Sequence, residues 1–115
     1  MALTITKVSS TYSTSPQITA DDVAEIASLG YKSIINTRPD NEGGAEQPSS
    51  NTIKLAAENL GLQYYYIPVI PNNIQSTQVD EFTNALETAP KPVLGFCRTG
   101  NRATRLLELS QKHQD

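Results

Sequence analysis

The chain has 115 residues, a formal net charge of −3, one cysteine and one histidine. This length predicts a single domain covering residues 1–115, and the negative charge argues against a nucleic-acid partner. One cysteine and one histidine argue against a Cys/His metal site. No stretch has the length and apolar character of a membrane span or the pattern of a signal peptide. We therefore expect a cytoplasmic protein that needs no cofactor and no metal.

The first predicted elements are short strands and a helix. Residues 3–13 are rich in Thr, Ser and Val and alternate weakly, which favours one or two short strands at a sheet edge. In "TADDVAEIASLG", Thr19 is a suitable N-cap, and Asp21 and Asp22 suit the positive end of the helix dipole. This helix is expected to end at Gly30.

A strand, a loop and a second helix follow. "KSIINT" is a β-branched run typical of a buried strand, and "RPDNEGGAEQPSS" has the residues of a loop. "SSNTIKLAAENLG" predicts a second helix whose apolar stripe contains Ile53, Ala56, Ala57 and Leu60.

The second half of the chain continues the alternation. "QYYYIPV" predicts an aromatic strand ended by Pro68, "STQVDEFTNALETA" a third helix, "VLGF" a last strand, and a last helix begins near Asn101. Strands separated by helices pair in parallel, so the fold class is α/β, with a mostly parallel central sheet flanked by helices. The loops starting at Arg38, Val69 and Cys97 then share the sheet edge where ligands bind.

The only cysteine lies between a buried strand and a helix start, in "VLGFCRTGNRA". Backbone N–H groups at a helix start have no internal partners, and a tight glycine-containing loop directs several of them to one point as an anion site. Together with an arginine, this field favours a thiolate nucleophile. We therefore predict Cys97 and Arg102 as catalytic residues. The other residues predicted to bind the anion are Arg98, Thr99, Gly100, Asn101 and Ala103.

Structural explanations exist for several of these residues. A lone cysteine at a strand end is commonly a small core residue, and Asn101 could simply cap the last helix. In the earlier loop, Asp40 or Glu42 could act as a proton donor and Arg38 as a support for the cysteine loop. Alternatively, Asp40 and Glu42 could be turn residues with solvated charges, and Arg38 could simply form an ion pair with one of them.

The order of segments resembles a known family. "GYKSIINTRPDNE", "LGLQYYYIPV" and "PVLGFCRTGNRA" together resemble the compact dual-specificity class of cysteine-dependent phosphatases, and more closely the bacterial beta-lactamase hydrolase-like phosphatase-like family. The resemblance covers about residues 4–109. It implies a phosphatase-like fold with the cysteine loop between the last strand and the C-terminal helix. It also implies a phosphorylated or other anionic substrate.

The chain departs from the phosphatase pattern at three places. Arg102 follows Cys97 by five positions instead of six, and Phe96 replaces the usual histidine. The loop from Val69 to Asn73, where an acidic residue usually protonates the leaving group, contains no carboxylate. The shorter "CRTGNR" is similar instead to the active-site loop of rhodanese sulfurtransferases, although their "Gly-His-Ile-Pro-Gly-Ala" segment is absent.

Three functions therefore stay open: a phosphatase using a Cys97 thiolate, a sulfurtransferase carrying a persulfide on Cys97, and a regulatory module that binds anions without turnover. Apolar residues expected on the surface of the last helix, such as Leu107 and Leu109, also suggest a homo-oligomer formed through that helix.

Overall fold

The computed structural model describes residues 3–113, and the side chains of residues 3–112. Within this range no helix is both long enough and apolar enough to cross a membrane. The elements in chain order are β1 (Thr6–Lys7), β2 (Tyr12–Ser15), α1 (Ala20–Ser28), β3 (Ser33–Asn36), a 3₁₀ turn (Gly44–Glu46), α2 (Ser50–Asn59), β4 (Gln63–Tyr66), α3 (Ser76–Thr88), β5 (Val93–Phe96) and α4 (Asn101–His113).

The strands form one mixed sheet in the order β1-β2-β5-β3-β4, in which only the β1–β2 pair is antiparallel. Ser15 and Asn36 both pair with Phe96, and Asn36 also pairs with Tyr66. The four parallel strands therefore end at the same level of the sheet, and the loops that follow them emerge side by side. The predicted α/β fold with a mostly parallel sheet is confirmed.

The helices cover the two faces of the sheet in pairs. Helices α1 and α2 pack on one face, where Ile34, Leu94 and Phe96 point, and α3 and α4 pack on the other, where Ile35 and Val93 point. The chain thus leaves the neighbouring strands β3 and β5 toward opposite faces. This arrangement opens a crevice between the two loops, the usual ligand position in an open α/β sheet.

Capping explains where the helices begin. Thr19 Oγ1 accepts the N–H of Asp22 at 3.3 Å, and the Asp22 carboxylate accepts the N–H of Thr19 at 2.8 Å. Ser49 accepts the N–H of Thr52 at 3.2 Å in the same way. These caps satisfy N–H groups that have no partner inside the helix, and the predicted cap at Thr19 is confirmed.

Three details differ from the sequence-based expectations. Of the two N-terminal strands only β1 lies at the sheet edge, because β2 pairs with both β1 and β5 and its four residues are buried. Leu60 follows the last residue of α2 and is 50% exposed, so it does not belong to the apolar stripe. Leu107 is buried and Leu109 packs against the core. The side chains on which the expected homo-oligomer rested are thus largely occupied within the domain.

A glycine in the central strand makes room for a buried tyrosine. Tyr12 lies in the core with its ring edge-on to Phe82, and its hydroxyl donates to the carbonyl of Ala103 at 2.9 Å. A Cβ at Gly95 would collide with this hydroxyl and the adjoining ring carbon. The small residue in β5 is therefore required by packing against β2.

We expect Gly95→Ala to lower the free energy of unfolding by about 1–3 kcal/mol, because extra volume in a close-packed core forces neighbouring atoms apart. Urea denaturation measures the change. The loss should be smaller in a Tyr12→Phe background, where the hydroxyl that meets the new methyl group is absent. Equal losses in both backgrounds would contradict this explanation.

Candidate active site

The cysteine loop is held in a tight turn directly after β5. The N–H of Gly100 donates to Cys97 Sγ at 3.0 Å. Gly100 has a φ of +97°, and a Cβ there would lie 3.4 Å from the carbonyl oxygen of Ser15. The left-handed backbone favours glycine, and the loop lies against the end of β2 at this position. Thr104 donates its N–H to the Gly100 carbonyl at 3.0 Å, so the helical hydrogen bonds of α4 begin inside the loop.

The loop favours the ionised form of the only cysteine. Burial by itself raises the pKa of Cys97. Backbone N–H groups of Ala103, Thr99, Arg102 and Gly100 oppose this effect and bring the pKa below its ordinary value. These amide dipoles therefore favour the charged form of the sulfur, as predicted for a thiol in this loop.

Arg102 lies between the sulfur and the neighbouring loops. Its Nη1 donates to Glu42 Oε2 and to the Val69 carbonyl, both at 2.8 Å, and its Nη2 donates to Glu42 Oε1 at 2.7 Å. Burial tends to lower the pKa of Arg102, but its bonds to Glu42 and its contact with the Cys97 sulfur raise it overall. The guanidinium is thus fixed as a permanent positive charge beside the thiol.

Glu42 joins Arg102 to a second buried arginine. Arg38 Nε donates to Glu42 Oε1 at 3.0 Å, and Arg38 Nη1 donates to Gln17 Oε1 at 3.0 Å. The backbone of Glu42 is exposed, but its side chain is only 21% exposed. The hydrogen bond from Arg102 lowers the pKa of Glu42, burial opposes this, and Arg38 adds to the lowering. An ionised carboxylate held by two arginines suits a support of the loop better than the proton donor that the sequence suggested for Glu42.

Asp40 is directed at the start of α2. Its Oδ1 accepts the N–H of Ser50 at 2.7 Å, and its own N–H donates to the Tyr66 hydroxyl at 2.9 Å. The neighbouring Tyr64 hydroxyl accepts from Asn36 at 2.9 Å and is 2.7 Å from Ser50 Oγ. Asp40 is absent from the residues that line the cleft at the cysteine loop. The structure thus places it in the loop scaffold.

The sequence analysis did not identify several supports of this site. Gln17 and the Val69 carbonyl bind the two arginines, although neither was assigned a role. The hydroxyls of Tyr64 and Tyr66 hold the loop that carries Glu42 and the residues at its two ends. The alternation in "YYY" was a usable signal, because residues two apart on β4 share a face. On that face the Tyr66 hydroxyl contacts the loop after β3, and the Tyr64 hydroxyl contacts the residues just before and just after that loop. The partner of Gln17 could not be inferred from local sequence.

A cleft of about 1250 Å³ opens above the cysteine loop. The predicted residues that line it are Arg38, Glu42, Arg98, Thr99, Asn101 and Arg102. Asn101 is the first residue of α4 and its N–H donates to Thr99 Oγ1 at 3.3 Å, so Thr99 shapes the turn and Asn101 is not the cap. Cys97 has no exposed surface.

We expect the Cys97 thiol to ionise below the ordinary cysteine pKa of about 8.5, because the amides stabilise its charged form. Ultraviolet absorbance of the thiolate during a pH titration measures this, and the signal has one source because the chain has one cysteine. Cys97→Ser supplies the background from the tyrosines. A midpoint at or above the ordinary value would show that burial outweighs the amides.

Glu42→Gln should lower the free energy of unfolding at neutral pH by about 1 kcal/mol, a value reduced by solvent screening. The pKa of Glu42 is lower in the folded state, so its stabilising effect is present above the unfolded pKa and is lost as pH falls through the folded pKa. Wild type and variant should therefore converge in acid, as measured by urea denaturation across pH. Glu46→Gln, in the same loop but outside these ion pairs, is the control. A difference that is independent of pH would contradict the ionic origin.

Sequence relatives match most of the chain. It is 38% identical over 97 residues to a beta-lactamase hydrolase-like protein from Xylella fastidiosa strain Temecula1, and 36% identical over 90 residues to one from Agrobacterium fabrum. These matches cover 84% and 78% of this chain but 22% and 21% of the relatives. The chain thus spans about a fifth of the length of the curated relatives that it matches.

Structural and family comparisons agree with this relationship. A crystal structure from Neisseria meningitidis Z2491, of a protein provisionally named a phosphatase, superimposes with a TM-score of 0.85 at 37% identity. The match covers 93% of this chain and 75% of that one. A family model matches residues 4–114. The family inferred from the sequence motifs is therefore confirmed: the chain belongs to the phosphatase-like domain family of the beta-lactamase hydrolase-like proteins.

Proposed function

We propose that this domain is a cysteine-dependent phosphoester hydrolase in which Cys97 is the nucleophile and Arg102 stabilises the transferred anion. The observation that carries the proposal is the hydrogen bond from the Gly100 N–H to the Cys97 sulfur at 3.0 Å, in a loop whose other N–H groups and whose Arg102 guanidinium also favour the thiolate. The phosphatase-like family of the chain supports the same reaction class. A loop that stabilises a thiolate also suits the equatorial oxygens of a phosphoryl group, because both carry negative charge.

The reaction takes place in two displacements. The Cys97 thiolate forms a bond to phosphorus while the bond to the leaving oxygen breaks and its electron pair departs with that oxygen. Loop amides and Arg102 hold the non-bridging oxygens of the resulting phosphocysteine. Water then attacks phosphorus, the S–P bond breaks, and inorganic phosphate and the thiolate are released.

The remaining predicted residues receive separate roles in this proposal. Gly100 and Ala103 contribute amides, while Arg98, Thr99 and Asn101 contact substrate at the mouth of the loop. The support residues are Arg38, Asp40 and Glu42. Glu42 positions Arg102 through two hydrogen bonds, Arg38 braces Glu42, and Asp40 anchors their loop on α2.

A second candidate is sulfur transfer, favoured by two features of the cysteine loop. The loop has a stabilised thiolate and the shorter Cys-to-Arg spacing, and sulfur transfer needs no proton donor. With thiosulfate, the Cys97 thiolate would bond to the outer sulfur, the S–S bond would break, and sulfite would leave with the electron pair. Cyanide would then take the sulfur as thiocyanate and regenerate the thiolate.

The proposal is tested with an aryl phosphate and with the thiosulfate–cyanide pair, each offered to wild type, Cys97→Ser and Arg102→Lys. We expect aryl phosphate hydrolysis that Cys97→Ser abolishes. Arg102→Lys should lower kcat/KM by about 10²-fold, since it removes a preorganised donor. An acid-quenched phosphate adduct on Cys97, seen by intact mass, identifies the intermediate.

Two other outcomes would replace the proposal. Thiocyanate formation without phosphate release, accompanied by a persulfide on Cys97, would assign sulfur transfer. Phosphate binding that persists in Cys97→Ser, with no turnover of either substrate by wild type, would assign an anion-binding module.

A further inference from the structure

The cleft lacks a side chain able to protonate a departing oxygen, among the residues that the structure describes. Its two carboxylates are Glu42 and Glu108. Glu42 accepts from Arg38 and Arg102 at 2.7 to 3.0 Å and stays ionised. Glu108 pairs with Arg105 at 3.3 Å on the exposed side of α4. It lies about 10 Å along the helix axis from the cysteine loop.

Two other acidic residues in the part of the chain that the structure describes are placed elsewhere. Asp40 is bonded to the start of α2, and Asp80 lies within α3 and does not line the cleft. The loop after β4 offers the amides Asn72 and Asn73 where a carboxylate would be expected. The active edge is therefore rich in anion-binding groups and poor in proton donors.

This composition restricts which bonds can be broken. A general acid contributes about 10²- to 10⁴-fold to the rate when the leaving group is a poor one. An alkyl ester would have to release a strongly basic alkoxide. When a phosphoanhydride is cleaved, the leaving group is instead a phosphate monoester. Its second pKa is about 6, so it leaves as a stable dianion. The lack of a general acid therefore slows the hydrolysis of alkyl phosphates and hardly changes that of phosphoanhydrides.

The charge of the cleft favours the same substrates. Four arginines line it against the two glutamates: Arg38, Arg98, Arg102 and Arg105. The Arg98 side chain is exposed and takes part in no ion pair within residues 3–112. It follows the nucleophile directly in the chain, so it is close enough to contact a second phosphate beside the one under attack. Arginine binds phosphate through parallel N–H donors.

We propose that the substrate of this site is a phosphoanhydride, a compound with a terminal pyrophosphate group, from which Cys97 removes the terminal phosphoryl group; this rests on the proposed phosphatase activity. The thiolate bonds to the terminal phosphorus, and the bond from that phosphorus to the bridging oxygen breaks. Both electrons stay on the bridging oxygen, and the remaining phosphate leaves unprotonated, held by Arg98. Water then hydrolyses the phosphocysteine, and its protons pass to phosphate and solvent.

The test compares kcat/KM for three kinds of substrate in metal-free buffer. These are inorganic pyrophosphate, a series of phenyl phosphates whose phenols differ in acidity, and glycerol phosphate as an alkyl ester. We expect pyrophosphate to exceed glycerol phosphate by at least about 10²-fold, the contribution of the missing acid. The phenyl series should show rates that rise steeply with the acidity of the phenol.

Two pairs of variants sharpen the comparison. Arg98→Gln should lower kcat/KM for pyrophosphate several-fold more than for phenyl phosphate, whereas Lys54→Gln, an equal charge change on the exposed side of α2, should not change that ratio.

Asn72→Asp places a carboxylate in the cleft lining at a φ of 61°, which aspartate tolerates. It should speed glycerol phosphate hydrolysis selectively, and Asn73→Asp, outside the lining, is its control.

The outcomes separate this inference from the proposed function. Another proton donor would be revealed by phenyl phosphate rates that do not depend on the acidity of the phenol, in wild type and in Asn72→Asp, together with rapid hydrolysis of glycerol phosphate. These results would overturn the inference but not the proposed phosphatase activity. Cys97-dependent phenyl phosphate hydrolysis without pyrophosphate hydrolysis would also overturn it alone. No hydrolysis of any ester or anhydride would overturn both.

Discussion

The site depends on the register of the parallel strands. Because Ser15, Asn36, Tyr66 and Phe96 end their strands at one level, four loops leave the sheet together. Strand order then sends the chain from β3 and from β5 to opposite faces, which separates two of these loops enough to leave a crevice. A slip of two residues in any pair would move one loop by about 7 Å, a distance that no side-chain hydrogen bond at the site could span.

Within that crevice, two opposing effects act on one sulfur. Burial disfavours the thiolate, and the amides of a five-residue turn favour it. The arginine that completes the site is itself kept charged and oriented by Glu42 and the Val69 carbonyl. Positive charge at the thiol is therefore supplied by backbone geometry and by an ion-pair network anchored in two other loops. No single residue of the cysteine loop would produce it alone.

Local patterns were enough to predict much of this arrangement. Helical periodicity, the Thr19 cap and the strand–loop–helix junction around Cys97 gave the α/β fold and the position of the candidate nucleophile. Leu60 was misplaced because a periodic stripe does not show that the helix ends one residue earlier. Glu42 and Arg102 are 60 positions apart in the chain, so local patterns do not predict that they pair. Arg102 pairs with Glu42 and not with Asp40 because of the geometry of the turn, which no local pattern records.

The position of the cysteine loop against the end of β2 also bears on how the molecule folds. Tyr12 pairs with Val93 near the opposite end of the sequence, so closing this part of the sheet carries the entropic cost of a very long loop. Contacts of this range form slowly compared with helices and local turns. The turn around the thiol packs against β2, and it can therefore settle only once the N-terminal strand has joined β5. Reactivity at Cys97 should then be among the last native properties that the chain acquires.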